Sequence, residues 1–307
     1  MRIAVLLLAA VLPLQLACDI DTLAGNGGRY QDDFEYTYDL NPGAKVSLET
    51  FNGSVEVLSW EKREIRITGT KYAPDERDLR DIRIEIKNSP DSVRIRAIRP
   101  PHRPGNMGAK FFLRVPREID LERINTSNGS IRVEDIRGSG RLESSNGSIR
   151  VSRFEGSLAA RTSNAAIECF GVEGGAQLRT TNGAIRVEDA GVSLDAETSN
   201  GPIHLVGFQS PASETVRLQT SNGVIEAAID RLGSGGLRAV TSNAAITLRL
   251  PAGAGAQLRA STSNGPVSAA FDVSGQVGKH SIDGAINGGG PLVYLTTSNG
   301  AIRIEKR

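Results

Sequence analysis

The sequence predicts an all-β fold: a parallel β-solenoid of about ten coils of 18–22 residues, with an elaborated N-terminal β part. Three observations carry that expectation. The stretch Thr126-Ser127-Asn128-Gly129-Ser130-Ile131-Arg132-Val133 returns, lightly edited, along most of the chain. Its Asn recurs at Asn52, Asn128, Asn146, Asn164, Asn182, Asn200, Asn222, Asn243, Asn264 and Asn299, with Asp283 as a stand-in. The spacing is 18 residues from Asn128 to Asn200, then 22, 21, 21, 19 and 16, and internal repeats of this length are the mark of solenoids. The residues on both sides of each Asn alternate with a period of two, as strands do. Finally, 34 glycines and 5% aromatics suit short strands and frequent turns.

Counting from each Asn as zero, position −4 is apolar (Ile124, Leu142, Ala160, Leu178, Ala196, Leu218, Ala239, Ala260, Leu295). Position −2 is Thr in nearly every copy, with Ser144 the exception. Position +3 holds Ile131, Ile149, Ile167, Ile185, Ile203, Ile225, Ile246, Val267, Ile286 and Ile302, and position +5 holds mostly Val, Leu or Ala. These columns are expected to face inward. Position +8 (Ile136, Phe154, Val172, Ala190, Phe208) suggests a third inward segment, and small residues at +10 (Gly138, Gly156, Gly174) turn the chain back. Gly at +1 is expected to supply a positive φ at the corner, although Ala165 and Ala244 replace it twice.

Identical positions stack on themselves only if successive coils lie in register about 4.8 Å apart. The Asn column then becomes a ladder of side-chain amides along one corner. Ten coils give a rod roughly 45–50 Å long. No coil buries its faces alone, so the stack needs a cap at each end. The drift from 18 to 22 residues is absorbed in loops and leaves the columns intact. A left-handed β-helix has 18 residues per coil but a strict six-residue apolar repeat, whereas the apolar intervals here run 5, 6 and 7. That failure, with the general preference for right-handed crossovers, predicts a right-handed coil. A propeller needs repeats of about 40–45 residues. An antiparallel meander of hairpins remains open, because Asn-Gly is also a favoured hairpin turn.

Read in order, residues 1–17 have one basic residue, Arg2, and an apolar run from Ile3 to Leu16 broken by Pro13. That is the pattern of a secretory signal peptide, and the run is shorter than a membrane span needs. Leu14-Gln15-Leu16-Ala17-Cys18 resembles a bacterial lipobox, with Gln15 where Leu is usual. Lipidation of Cys18 would anchor the chain to a membrane without a spanning helix. Residues 18–33 read as the lipidated N-terminus and a flexible tether. Residues 34–118 form an N-terminal β region: a first repeat around Asn52, then an insertion before Asn128. Its strands are expected around Ile65/Ile67, Ile82/Ile84/Ile86, Val93/Ile95/Ala97 and Phe111/Leu113/Val115, with a short helix or turn after Pro74 capped by Asp75 and a loop over 100–106. Residues 119–307 carry the regular repeats. Cys169 occupies a +5 position and reads as a small buried apolar residue.

Charge excludes some partners. Removing residues 1–17 leaves 35 basic and 35 acidic residues, so no long-range attraction to nucleic acid is expected. His102, His204 and His280 fit no metal spacing, and no phosphate-binding Gly loop precedes a helix. Neither a catalytic set, a metal site nor a cofactor is predicted. Acidic pairs recur at +6/+7 (Glu134-Asp135, Glu188-Asp189) and read as solvated turns, since the nonapeptide of calcium-binding rows is absent. The exposed +4 row carries Arg132, Arg150 and Arg186, interrupted by Glu168. It reads either as a soluble outer face with charge pairs between coils or as a surface for anionic glycans.

The phased Thr-Ser-Asn-Gly-Xaa-Ile-Xaa-Val copies, the opening Glu49-Thr50-Phe51-Asn52-Gly53-Ser54-Val55-Glu56-Val57 and the lipobox-like start resemble bacterial DUF4097 proteins, a family of candidate adhesins. The resemblance spans about residues 34–307. It implies a β-helix-like repeat domain at the cell envelope and brings no catalytic residues. The expected function is a non-enzymatic envelope lipoprotein whose solenoid serves as a binding or scaffold surface for an envelope glycan or a protein. The alternatives are a carbohydrate-active β-helix enzyme and an envelope-stress accessory protein.

Overall fold

A computed structural model describes residues 30–101, 105–210 and 215–307. The proposed signal peptide, Cys18 and most of the proposed tether lie outside the described residues. The N-terminal part runs β1 (Tyr30–Asp39), β2 (Lys45–Thr50), β3 (Val55–Trp60), β4 (Glu64–Ala73), α1 (Glu76–Asp81), β5 (Arg83–Ser89), β6 (Ser92–Ile98), β7 (Gly108–Pro116) and β8 (Asp120–Thr126). The start of β1 places Tyr30–Asp33, read from sequence as tether, in a strand paired with β4. Asp75 caps α1, accepting from the Asp78 N–H at 2.7 Å.

The regular region has three long strands, β9 (Ile131–Ser144), β10 (Ile149–Arg161) and β11 (Ile167–Arg179). It continues as shorter segments: β12 (Ile185–Glu188), β13 (Gly191–Glu197), β14 (Ile203–Gln209), β15 (Val216–Gln219), β16 (Ile225–Arg231), β17 (Leu237–Val240) and β18 (Ile246–Leu250). All are paired in parallel, and in register apart from an irregularity between β14 and β16 after Leu205. Ile149 lies between Ile131 and Ile167, and the column continues through Ile185, Ile203, Ile225 and Ile246. The fold is therefore the expected parallel solenoid.

The +3 isoleucines of this region, with Ile302, are at most 1% exposed, and the −4 and +8 columns are buried with them in one continuous core. Burying each Ile contributes roughly 1.5–3 kcal/mol, and a single coil cannot do it, because its neighbours form the lid. Cys169 is buried and free. At +7 the chain turns through left-handed conformations in five successive coils: Asp135, Arg153, Gly171, Asp189 and Gly207, with φ between 48° and 64°. This corner was not read from the sequence, since only two of the five are glycine.

The ends depart from a simple stack. At the N-terminal end, β2 lies between β6 and β8, and β3 between β7 and β9, all parallel. The insertion thus supplies a further layer beyond the Asn52 coil. Antiparallel β5 then covers β6, antiparallel β4 covers β7, and β1 pairs with β4 beyond it. The cap required by a repeat stack is the insertion together with β1.

At the other end lie β19 (Ala256–Thr262), β20 (Val267–Ala269), β21 (Val273–Val277), β22 (Ser281–Ile286), β23 (Leu292–Thr297) and β24 (Ile302–Lys306). The coils here do not stack in chain order. β23 sits between β17 and β19, and β24 between β18 and β20. The last coil in sequence is therefore the penultimate coil in space. Asp283 is not a stand-in for the ladder Asn. It lies on β22, which runs antiparallel to both β19 and β21, opposite Arg259 and Gln276. Ile286 is buried, but against Ala256 and Val273 and not in the +3 column. An antiparallel hairpin at this position closes the open edge that a final parallel coil would leave.

Candidate binding surface

The Asn corner is an unbroken ladder. Asn52 donates its Nδ2 to the Met107 carbonyl at 2.9 Å, and Asn128 donates to Asn52. Asn146, Asn164, Asn182, Asn200, Asn222 and Asn243 each donate to the Asn before them at 2.6–2.8 Å. Asn299 donates to Asn243 at 2.8 Å, and Asn264 to Asn299 at 2.7 Å.

A second line runs beneath it through the buried −2 hydroxyls. In each coil the Thr or Ser Oγ donates to the +1 carbonyl of the neighbouring coil, as Thr198 does to Gly183 at 3.0 Å and Thr297 to Ala244 at 2.9 Å. In several coils it also accepts from its own +1 N–H, as from Gly201 at 3.2 Å. The final acceptor, the Gly265 carbonyl, lies 2.6 Å from His280 Nδ1. With every donor and acceptor along this line engaged, the corner is a rigid scaffold edge.

The glycines at +1 serve a different purpose from the one expected. Of these, only Gly53 has a positive φ. A Cβ on Gly129, Gly147, Gly183, Gly201, Gly223 or Gly300 would lie 1.7–1.8 Å from a carbonyl oxygen of the adjacent coil. Close approach of one backbone to the next selects glycine here.

The Arg132, Arg150 and Arg186 row is exposed, and each member is ion-paired. Arg132 meets Glu134 at 2.9 Å, Arg150 reaches across coils to Glu168, and Arg186 meets Glu188. Glu134 also receives Arg153, and hydrogen bonds from Arg153 and Arg132 hold its carboxyl below the usual range. Of the +6/+7 acids, Glu134 and Glu188 pair with the arginine of their own coil, and Asp135 accepts from Ser59 Oγ at 2.7 Å and faces Arg117 at 3.2 Å.

A concave part of the surface lies elsewhere, on the outward −7 and −5 columns. A groove of about 630 Å³ is lined by Ser157, Ala159, Gly175, Gln177, Ser193 and Thr215, with Arg141 at one end and Arg217 at the other. It continues past Arg141 into a second depression that reaches Ser139, Asp120 and Lys45. Lys45, Arg141 and Arg217 are exposed, and none makes a side-chain hydrogen bond or ion pair among the described residues. The groove aspartates are engaged: Asp195 accepts from Arg179 at 2.7 Å, and Asp120 accepts from the N–H and Oγ of Ser139, each at 2.8 Å. Sequence reasoning missed this site because it followed the columns that repeat. The signal lay in the −5 column, where Arg141, Ala159, Gln177, Asp195 and Arg217 differ from coil to coil.

The architecture defines a capped parallel β-solenoid with a side-chain amide ladder. The chain belongs to the DUF4097 family, described as Toastrack, whose family model matches residues 43–236. No curated protein is detectably similar in sequence. Among solved structures, the chain is similar to a candidate lipid binding protein from Parabacteroides distasonis, at 13% identity and a TM-score of 0.46, covering 91% of this chain and 98% of that one. It is similar to a candidate adhesin from Parabacteroides merdae at 11% identity and a TM-score of 0.46, covering 91% and 97%. A candidate adhesin from Bacteroides fragilis aligns at 11% identity with a TM-score of 0.29, covering 89% and 97%.

Proposed function

We propose that the protein is a non-enzymatic binding protein of the cell envelope, anchored by a lipid on Cys18, with the outward columns of the solenoid as its binding surface. The observation that carries this reading is the contrast between columns. Inward positions repeat from coil to coil, while the outward −5 column varies and frames a groove with unpaired cations at its ends. Uniform inward columns and a hydrogen-bonded corner make a stiff support, and rigid elements hold a binding constellation better than loops do. The Met1–Cys18 segment, with its apolar run and lipobox-like end, supports the anchor.

Labelling cells with a fatty-acid analogue tests the anchor. Wild-type protein should take up label and sediment with membranes, and Cys18→Ser should do neither. An unlabelled wild-type chain recovered in the soluble fraction would rule the anchor out.

A second reading, capture of another protein, is favoured by one observation. Among the described strands, β1 pairs only with β4, leaving the other edge of a ten-residue strand open. Such an edge accepts an added strand. Crosslinking from Thr37 in the native envelope should then trap a defined partner, and the absence of any crosslinked product would leave the groove as the binding surface.

A further inference from the structure

We propose that the groove between Arg141 and Arg217 binds an acidic polysaccharide chain lying along the axis of the stack. This rests on the reading of the protein as a binding protein but not on its anchor.

The groove takes its walls from five successive coils, each contributing its −5 residue and most also the −7 residue. Four coil steps separate Arg141 from Arg217, about 19 Å at the spacing of paired strands. Two further steps lead back to Lys45, about 10 Å from Arg141. Cations are therefore sparse, with Arg141 and Arg217 in the −5 column and Lys45 in the neighbouring −7 column. Between them lie hydroxyls, an amide and small side chains: Ser139, Ser157, Gln177, Ser193 and the methyl of Ala159. That sequence of groups complements an extended chain with many hydroxyls and occasional carboxylates or sulfates. A ligand with a charge on every unit, such as a nucleic acid, would meet Asp120, Glu122 and Asp195 in the same trough. The unpaired guanidinium groups are free to make charge-assisted, bidentate bonds to an acidic group.

The depth of the groove has a definable cause. Ala159 and Gly175 leave space where longer side chains would fill the trough. A Cβ on Gly175 would touch only Ser193 Oγ, at 3.6 Å, and its φ is not positive. A large side chain at this position would occupy the groove without forcing the coils apart.

Calorimetric titration of the full chain carrying Cys18→Ser tests the proposal. The probes are a hexasaccharide of alternating glucuronate and N-acetylglucosamine, its methyl ester, a galactan hexamer bearing a sulfate on alternate sugars, and phosphatidylglycerol vesicles. At least one acidic hexamer should bind, more weakly as salt rises, and for the glucuronate-containing hexamer the uncharged methyl ester should bind at least ~10-fold more weakly. Arg141→Ala with Arg217→Ala should weaken binding by ~10-fold or more. Gly175→Phe should abolish it, with Ala159→Gln as a second filler if the first variant fails to fold. Arg132→Ala, Arg150→Ala and Arg186→Ala together should leave it unchanged. Failure of every acidic hexamer to bind would overturn the proposal, as would equal binding by the groove variants, loss on the Arg132 face, or a preference for vesicles sensitive to the same arginines. None of these results bears on fatty-acid labelling of Cys18, which tests the anchor separately.

Discussion

Asn299 donates its side-chain amide to Asn243, 56 residues earlier in the chain, at a distance of 2.8 Å, and accepts from Asn264 on its other side. The amide ladder thus records the spatial order of the coils, which near the C-terminal end is not their order in sequence. A cysteine pair distinguishes the two orders. Thr247 is the strand partner of Arg303, and Arg303 of Ser268. Thr247→Cys with Arg303→Cys should oxidise to a crosslinked chain. Thr247→Cys with Ser268→Cys should not, because two strand spacings, about 9.6 Å, exceed the reach of a disulfide. Non-reducing electrophoresis reads the outcome, and the reverse result would restore sequential stacking.

Close packing between coils favours glycine at most +1 positions, although Ala165 and Ala244 occupy two of them. Gly201→Ala would place a methyl 1.8 Å from the Gly183 carbonyl oxygen, whereas Gly175→Ala meets its nearest atom at 3.6 Å. The first should lower stability by about 2 kcal/mol or more through overpacking between coils. The second should be within about 0.5 kcal/mol of wild type. Urea unfolding of both variants makes the comparison.

The −2 hydroxyl column is tested by Thr198→Val, which keeps the shape and removes the hydroxyl. The Gly201 N–H loses its acceptor, and the Gly183 carbonyl loses a donor. Thr198 is 2% exposed, so water cannot easily replace it. A loss of roughly 1–3 kcal/mol is expected in denaturant unfolding. No change would mean that the hydroxyl line does not contribute to holding the corner.

Ile185 is fully buried in the middle of the +3 column, between Ile167 and Ile203. Ile185→Asp should abolish cooperative unfolding, because a carboxylate in this core has no partner. A melting curve matching wild type would contradict the inward assignment of the column.

Two groups give the pH dependence a sign. Burial, with a smaller contribution from Glu168, pushes the Cys169 thiol up to about 12. A raised folded value means that its contribution is fully present below the unfolded value of about 8.5 and is lost as pH rises through the folded one. Cys169 should therefore resist alkylation at pH 8 in the native protein and react on unfolding. Glu134 has the opposite sign: its folded value is lowered, so its contribution is present above about 4.3 and lost as pH falls through the folded value. Glu134→Gln should flatten the acid limb of stability against pH, and an unaltered limb would mean that the Arg153 and Arg132 contacts are not maintained in solution.

The sequence by itself determined the repeat, the inward columns and the Asn ladder. Each follows from a local rule: a side chain facing a stacked copy of itself must be apolar, or must both donate and accept. The Asp75-capped helix and the strands of the insertion were legible for the same reason. Tertiary structure alone decided which coil adjoins which. Parallel coils present the same donors, acceptors and apolar ladders to any neighbour, so the Asn299 coil fits between those of Asn243 and Asn264 as well as it would at the end. Loop closure and the antiparallel β22 settle that choice, and neither has a repeating signature. The groove belongs to the same class of fact. Its depth is the difference in height between side chains 18 or more residues apart, and its free cations are those that cross-coil pairing leaves over.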